Sequence, residues 1–168
     1  RLGNKDVLTD INFTVEPGRI FGLVGENGAG KTTLIKCITG VYRPEQGAVL
    51  IDGKNVYDNP TIKERIGYVA DQNRYFPSYR IKELLSFYAL AYPRFSSERF
   101  WELNKIFKLP ATARVKELSK GMQMRLTLML SLSIRPDILV LDEPTSGLDP
   151  LAKREVINLL LQEVESRD

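Results

Sequence analysis

The 168-residue sequence contains no histidine and one cysteine, Cys37. Without imidazole, the commonest general base near neutral pH and the commonest zinc ligand are both gone. One thiol makes no intrachain disulfide and no multi-cysteine metal site, and Cys37 sits in an apolar pattern that reads as core. No apolar run approaches the roughly 18 residues that a membrane-spanning helix needs. No secretory leader is visible, so a reducing cytoplasmic setting is expected. Charge of neither sign is clustered. The 24 basic and 21 acidic residues leave +3, which phosphate ligands and solubility explain without nucleic acid. Internal repeats and low-complexity tracts are missing as well. Hydrophobic residues make up 43%, enough for one globular domain with its own core. The chain begins at Arg1 rather than Met and stops inside a helical pattern, so a fragment of a longer protein is expected.

What is present is concentrated in one stretch, Gly25-Glu26-Asn27-Gly28-Ala29-Gly30-Lys31-Thr32-Thr33. It fits the phosphate-cradling pattern G-x-x-x-x-G-K-[ST]. Ile20–Val24 before it reads as a buried strand, and Thr32–Gly40 after it reads as a helix. Glycines let the backbone take positive φ and turn its N–H groups toward phosphate oxygens. The helix N-terminus adds partial positive charge at the same place. Lys31 has the reach for β- and γ-phosphates, and the Thr32 hydroxyl suits Mg²⁺, which keeps most of its waters.

Along the rest of the chain, Val7–Val15 alternates partly and reads as a strand. Gly47–Val56 reads as a hairpin turning at Asp52-Gly53. Ile66–Ala70 is an apolar strand ending at Asp71-Gln72. Ile81–Leu90 and Ser97–Phe107 have helical spacing, and Tyr79, Phe87, Tyr88, Tyr92, Phe95, Phe100, Trp101 and Phe107 read as a small core of that segment. Leu118–Ile134 predicts a long apolar helix. Ile138–Leu141 predicts a strand of a parallel sheet covered on both faces. Asp149-Pro150 is a cap and first-turn pair for a last helix to about Ser166.

A second phosphate motif follows Ile138–Leu141 directly, as Asp142-Glu143. An aspartate ending a strand beside a phosphate loop can hold the Mg²⁺ shell. A carboxylate one residue on can orient and polarise an attacking water. Leu118-Ser119-Lys120-Gly121-Met122-Gln123 is a Ser-capped helix start, and Pro144–Asp149 is a turn leading into the last helix.

With all four elements in this order, the chain resembles the ATP-binding cassette (ABC) ATPase family over essentially its whole length. Gly25–Thr33 looks like its Walker A loop, and Leu139–Asp142 with Glu143 looks like Walker B and the catalytic glutamate. Gln72 looks like the Q-loop glutamine that touches Mg²⁺. Leu118–Met122, with Ser119, Lys120, Gly121 and Met122, is similar to the family signature, and Ser146–Asp149 is similar to the D-loop. The resemblance implies an α/β fold with a P-loop NTPase, RecA-like core, an antiparallel β-subdomain and an inserted helical subdomain. The core and β-subdomain would occupy residues 1–72 and 134–168, with the helical subdomain at 73–133. It implies ATP and Mg²⁺ as cofactors, with Thr32, Gln72 and Asp142 toward the metal and Glu143, Lys31 and Gln72 as catalytic residues. Two such domains would sandwich two ATP molecules head to tail, each under the other's signature. A separate transmembrane permease would dock at Gln72–Tyr79, around Arg74, Tyr75 and Phe76, placing the chain peripherally on the cytoplasmic membrane face. No nucleic acid is expected.

The sequence departs from that pattern at three places. Lys120 replaces a glycine and Met122 the usual glutamine, although Gln123 follows; Lys120 either adds a cation near the phosphates or points to solvent. Leu2 stands where an aromatic would stack on adenine, unless that aromatic lies upstream. The family's switch histidine is missing, which an end at Asp168 explains. Two other functions compete: a soluble ABC ATPase acting on ribosomes or DNA, and a regulatory module that binds ATP but hydrolyses it poorly. The short span between Gln72 and Leu118 opposes the first, and Glu143 opposes the second.

Overall fold

A computed structural model of the chain describes residues 6–71 and 77–165. Leu2, Gln72, Arg74, Tyr75, Phe76, Ser166 and Asp168 lie outside the described residues. The chain divides into two compact units, residues 1–63 with 157–168 and residues 64–156.

In the first unit, helix α1 (Lys31–Ile38) follows the glycine-rich loop. Strands β1 (Leu50–Ile51) and β2 (Lys54–Asn55) form an antiparallel hairpin. Asp52 and Gly53 both take positive φ, 50° and 73°, the geometry of a tight hairpin turn whose twist matches its strands. Helix α2 (Pro60–Lys63) begins on a proline, whose missing N–H costs nothing at that position. The Asn59 side chain accepts from the Ile62 N–H at 3.3 Å. Ile35, Cys37, Ile51, Val56 and Ile62 are buried, and burial pushes the Cys37 thiol up, away from reactive thiolate.

The strands expected at Val7–Val15 and Ile20–Val24 are not formed. Ile20 is 66% exposed and Val24 94%. A strand exists only through its ladder, and among the described residues no neighbouring strand offers one to these segments. Their larger apolar side chains, Ile11, Phe13, Val15, Ile20, Phe21, Leu23 and Val24, stay exposed. Phe13 and Phe21 stack on each other, with centroids 4.8 Å apart.

The second unit is built on helix α5 (Lys120–Ser133). It is apolar nearly all round, and Met124, Leu126, Leu128, Met129, Leu130 and Leu132 are buried. Its buried hydroxyls are satisfied: Thr127 donates to Gln123 O at 2.9 Å, Ser131 to Tyr68 O at 3.2 Å and Ser133 to Met129 O at 2.6 Å. Strand β3 (Ile66–Val69) packs on this helix and pairs in parallel with β4 (Ile138–Leu141), from Ile66 opposite Ile138 to Val69 opposite Leu141. The side chains of β4 are half-buried rather than fully covered on both faces, and among the described residues β4 has a strand neighbour on one edge only.

Helices α3 (Ile81–Ala91) and α4 (Ser97–Phe107) complete the connection, and α4 packs on α5. Ser96 caps α4 by accepting the Arg99 N–H, and its own N–H donates to Ser133 O at 2.8 Å. Tyr88 stacks on Tyr92 and meets Phe95, and fully buried Phe100 meets Trp101 edge-on. Of the aromatics read as a small core, Phe100 and Phe107 are buried and Tyr88, Tyr92 and Phe95 are half-buried, whereas Tyr79, Phe87 and Trp101 stay exposed, because Phe87 and Trp101 stand on the outer faces of α3 and α4 and Tyr79 lies before α3. Helix α6 (Pro150–Glu165) ends the described chain.

Asp137, just before β4, accepts from Arg94 at 2.8 Å and from Arg65. The Arg94 hydrogen bond, then that of Arg65, holds its carboxyl below the usual aspartate range. A depressed pKa contributes stability that is full above the unfolded value and is lost as pH falls through the folded one. Acid unfolding of the wild type is therefore expected to include a stability loss below about pH 4 that Asp137→Asn removes. Denaturant titrations at pH 3 and pH 6 check this. Equal pH dependence in both proteins contradicts it.

Candidate functional site

The phosphate loop lies in the first unit and shows the conformation its glycines permit. Gly28 takes φ 83° and Gly30 φ 98°. Gly30 is the N-cap of α1, and having no side chain it leaves the helix without a side-chain cap. The N–H groups that begin α1 stay directed into the loop, where an anion is favoured. A Cβ on Gly30 would also lie 3.1 Å from Val7 O, Val7 Cγ1 and Leu8 Cδ2, a tight fit that adds to the strain a side chain would meet at this φ. The loop closes on itself through Ala29 N–H to Glu26 O at 3.2 Å. Lys31 Nζ donates to Gly25 O at 2.7 Å and Glu26 O at 2.8 Å. The ammonium is thus held at the loop mouth, among backbone oxygens that a phosphate oxygen would displace. Gly25, Glu26, Asn27, Gly28, Ala29 and Thr32 are exposed, while Lys31 and Thr33 are partly covered.

The remaining site residues with described coordinates lie in the second unit. Asp142 ends β4; its N–H continues the ladder to Val69 O at 2.8 Å and it is 5% exposed. Burial, with the charges of Asp142 and Asp71 nearby, raises the Tyr68 hydroxyl above the usual tyrosine range. Glu143 follows at φ 50° and is exposed. A non-glycine residue held there stores backbone strain of about 1–3 kcal/mol, which clusters at functional sites. The Ser146 N–H donates to Glu143 O at 2.9 Å, which holds that turn.

The signature sits at the start of α5. Ser119 is the N-cap and accepts the Met122 N–H at 3.2 Å, while Gln123 donates back to Leu118 O at 3.0 Å and Val115 O at 3.3 Å. Accepting that bond leaves the Ser119 hydroxyl hydrogen available to a phosphate oxygen. Asp149 caps α6, its Oδ1 accepting from Leu151 and Ala152 N–H at 3.0 Å each. Those bonds, Ala152 first, hold its carboxyl below the usual range, and Arg125 assists. Lys120 is exposed and lies along Gly147.

Two residues of this region escape motif reading. Leu148 is buried in an otherwise polar turn, and a Cβ on Gly121 would meet its Cδ2 at 3.2 Å. Its apolar character among polar neighbours is the signal. Arg125 pairs with Glu155 at 3.1 Å and lies over the Phe107 ring, tying α5 to α6 and α4; nothing local marks a pairing 30 residues apart. Among the described residues no group of three or more His, Cys, Asp or Glu is arranged to hold a metal ion, and no helix is long and apolar enough to cross a membrane.

A family model described as ABC transporter matches residues 8–146. The chain belongs to the ABC transporter family. It is 38% identical over 166 residues to the ABC transporter ATP-binding protein YtrB of Bacillus subtilis (strain 168), a match that covers 99% of this chain and 56% of that one. It is 38% identical over 160 residues to the Nod factor export ATP-binding protein I of Burkholderia thailandensis, covering 91% of this chain and 52% of that one. The chain thus spans about half the length of the curated relatives it matches. Among solved structures, an ATP-binding subunit of an ABC transporter superposes with TM-score 0.85 at 30% identity, covering 95% of this chain and 69% of that one. A dimeric ATP-binding cassette in a post-hydrolysis state, bound to ADP and Pi, superposes with TM-score 0.83 at 26% identity, covering 96% and 76%. The fold is the α/β P-loop fold of the ABC family's nucleotide-binding domains.

Lys31→Ala in the full-length protein is expected to remove the phosphate cation and drop ATP affinity below calorimetric detection, with helix content unchanged by circular dichroism. Wild-type affinity in that variant contradicts the assignment of this loop.

Proposed function

We propose that the chain is the ATP-binding and ATP-hydrolysing part of a subunit that powers an ABC transporter. The observation that carries this is the loop at Gly28-Ala29-Gly30-Lys31, with two left-handed glycines opening onto an uncapped helix and an ammonium at its mouth. That arrangement has the charge, the donors and the backbone exposure that a nucleotide triphosphate needs. Similarity to a dimeric cassette bound to ADP and Pi supports hydrolysis and pairing of two such domains.

In this reading Lys31 and the first-turn N–H groups bind the phosphates. Thr32, Asp142 and Gln72 are the residues that would hold Mg²⁺, which would supply charge neutralisation on the transferred phosphoryl group. A hydroxyl and a carboxylate are the hard oxygen donors that Mg²⁺ takes, few in number with water filling the rest. Glu143, at a strained turn beside the metal-binding strand end, orients and polarises the attacking water. Two chains associate head to tail, so that Ser119, Gly121 and Met122 of one cover the γ-phosphate held by the other, while Lys120 lies along Gly147 of its own chain, with the Asp149 turn between the two chains. ATP favours the closed pair through contacts that ADP lacks, and hydrolysis releases it. Residues 1–72 with 134–168 act as core and β-subdomain and 73–133 as the helical subdomain. A separate permease chain receives the helical subdomain, placing the protein on the cytoplasmic membrane face.

Glu143→Gln in the full-length protein is expected to keep ATP binding while hydrolysis falls by roughly 10²–10⁴. The trapped ATP-bound pair should appear in light scattering as a doubled mass. Wild-type turnover would assign the water-activating role to another group.

A further inference from the structure

The residue that departs most from the family signature, Lys120, has a definite place. Gly147 takes φ 70°, and a Cβ built on it would meet Lys120 Nζ at 3.0 Å and its Cδ and Cε at 3.1 Å. Three consecutive heavy atoms of the lysine therefore lie flat over the glycine. The next residue repeats the contact in kind, since Gly121 sits against Leu148, which is buried. Two consecutive residues of the signature thus pack on two consecutive residues of the turn before α6. The turn itself is pinned at its far end by Asp149, through Leu151 and Ala152 N–H. Among the described residues no ion pair involves Lys120, and the outer half of its side chain, Cδ and Cε together with Nζ, lies against the open face of the glycine.

We propose that Lys120 is a positioning residue that fastens the signature to the turn Ser146–Asp149, so that the two elements move as one piece. A glycine at position 120 would leave Gly147 uncovered on that face, with Leu148 the remaining side-chain contact between the turn and the signature. This inference rests on the proposed ATPase reading for its effect on turnover, but not for the contact itself. When the signature engages a nucleotide on the partner, the stem carries that engagement to the turn that follows Asp142 and Glu143 of its own chain.

The test uses the full-length protein with Lys120→Ala and Lys120→Met. Met keeps an unbranched apolar stem and loses the charge. Hydrogen exchange at residues 145–149 is expected to rise by roughly tenfold in Lys120→Ala, as for a turn that has lost local packing, and to stay near wild type in Lys120→Met. Steady-state ATP hydrolysis should show kcat falling in Lys120→Ala with KM for ATP unchanged, and Lys120→Met restoring kcat. Unchanged exchange in Lys120→Ala overturns the fastening. Exchange or kcat as impaired in Lys120→Met as in Lys120→Ala assigns the effect to the charge and also overturns it. If the exchange pattern holds while wild-type protein hydrolyses no ATP, the fastening stands and the ATPase reading fails.

Discussion

The burial of α5 is the interaction on which the second unit depends. A helix apolar on every face is stable only when covered all round, and here β3 and α4 pack against it. Its N-terminus is Ser119 of the signature, and its C-terminal residue Ser133 takes the Ser96 N–H at the start of α4. Because β3 lies on α5 and β4 pairs with β3, the position of Asp142 at the end of β4 follows from the same packing. One buried helix therefore sets both the start of the signature and the acidic strand end. Leu→Ala changes inside such a helix cost about 2–5 kcal/mol, a large share of a domain's marginal stability.

The phosphate loop depends on a different constraint, backbone conformation rather than burial. Its glycines hold φ values that side chains disfavour, and a Cβ at Gly30 would sit tightly against Val7 and Leu8. Lys31 is bound to two carbonyls of its own loop. That keeps the ammonium near where a phosphate would arrive, at the cost of bonds that the ligand must replace. Charge-assisted bonds to phosphate are stronger than those to neutral carbonyls, so the exchange favours the nucleotide.

Local signals were legible in the sequence, as were the hairpin and the parallel strand at Ile138–Leu141, but which segments lack a strand partner was not. The starts of α1 and α5 follow from the glycine-rich loop and Ser119, each of which acts within three or four residues; the Ser96 cap of α4 emerges only in the structure. The Asp52-Gly53 turn follows from the same kind of short-range rule. The strands expected at Val7–Val15 and Ile20–Val24 fail because strand formation is decided by a partner, and alternation carries no information about one. The half-covered β4 is the same lesson: four apolar residues announce a strand but not how many faces are packed. At the candidate site, Lys31, Asp142, Glu143 and Ser119 could be proposed from the sequence because the motifs that contain them are defined by spacing. The contact of Lys120 with Gly147 was not, since an exposed lysine looks the same whether its stem lies on a glycine or in water.

The central claim is that a loop built around Lys31 and a helix start at Ser119 serve the same nucleotide from different chains. Linked dimers of the full-length protein separate this from a site built within one chain. The measurement is single-turnover hydrolysis counted per dimer, with Lys31→Ala and Ser119→Ala placed either on different halves or on the same half. Shared sites predict one working site when the substitutions are on different halves and none when they are on the same half. The reverse pattern, none and one, would contradict the account.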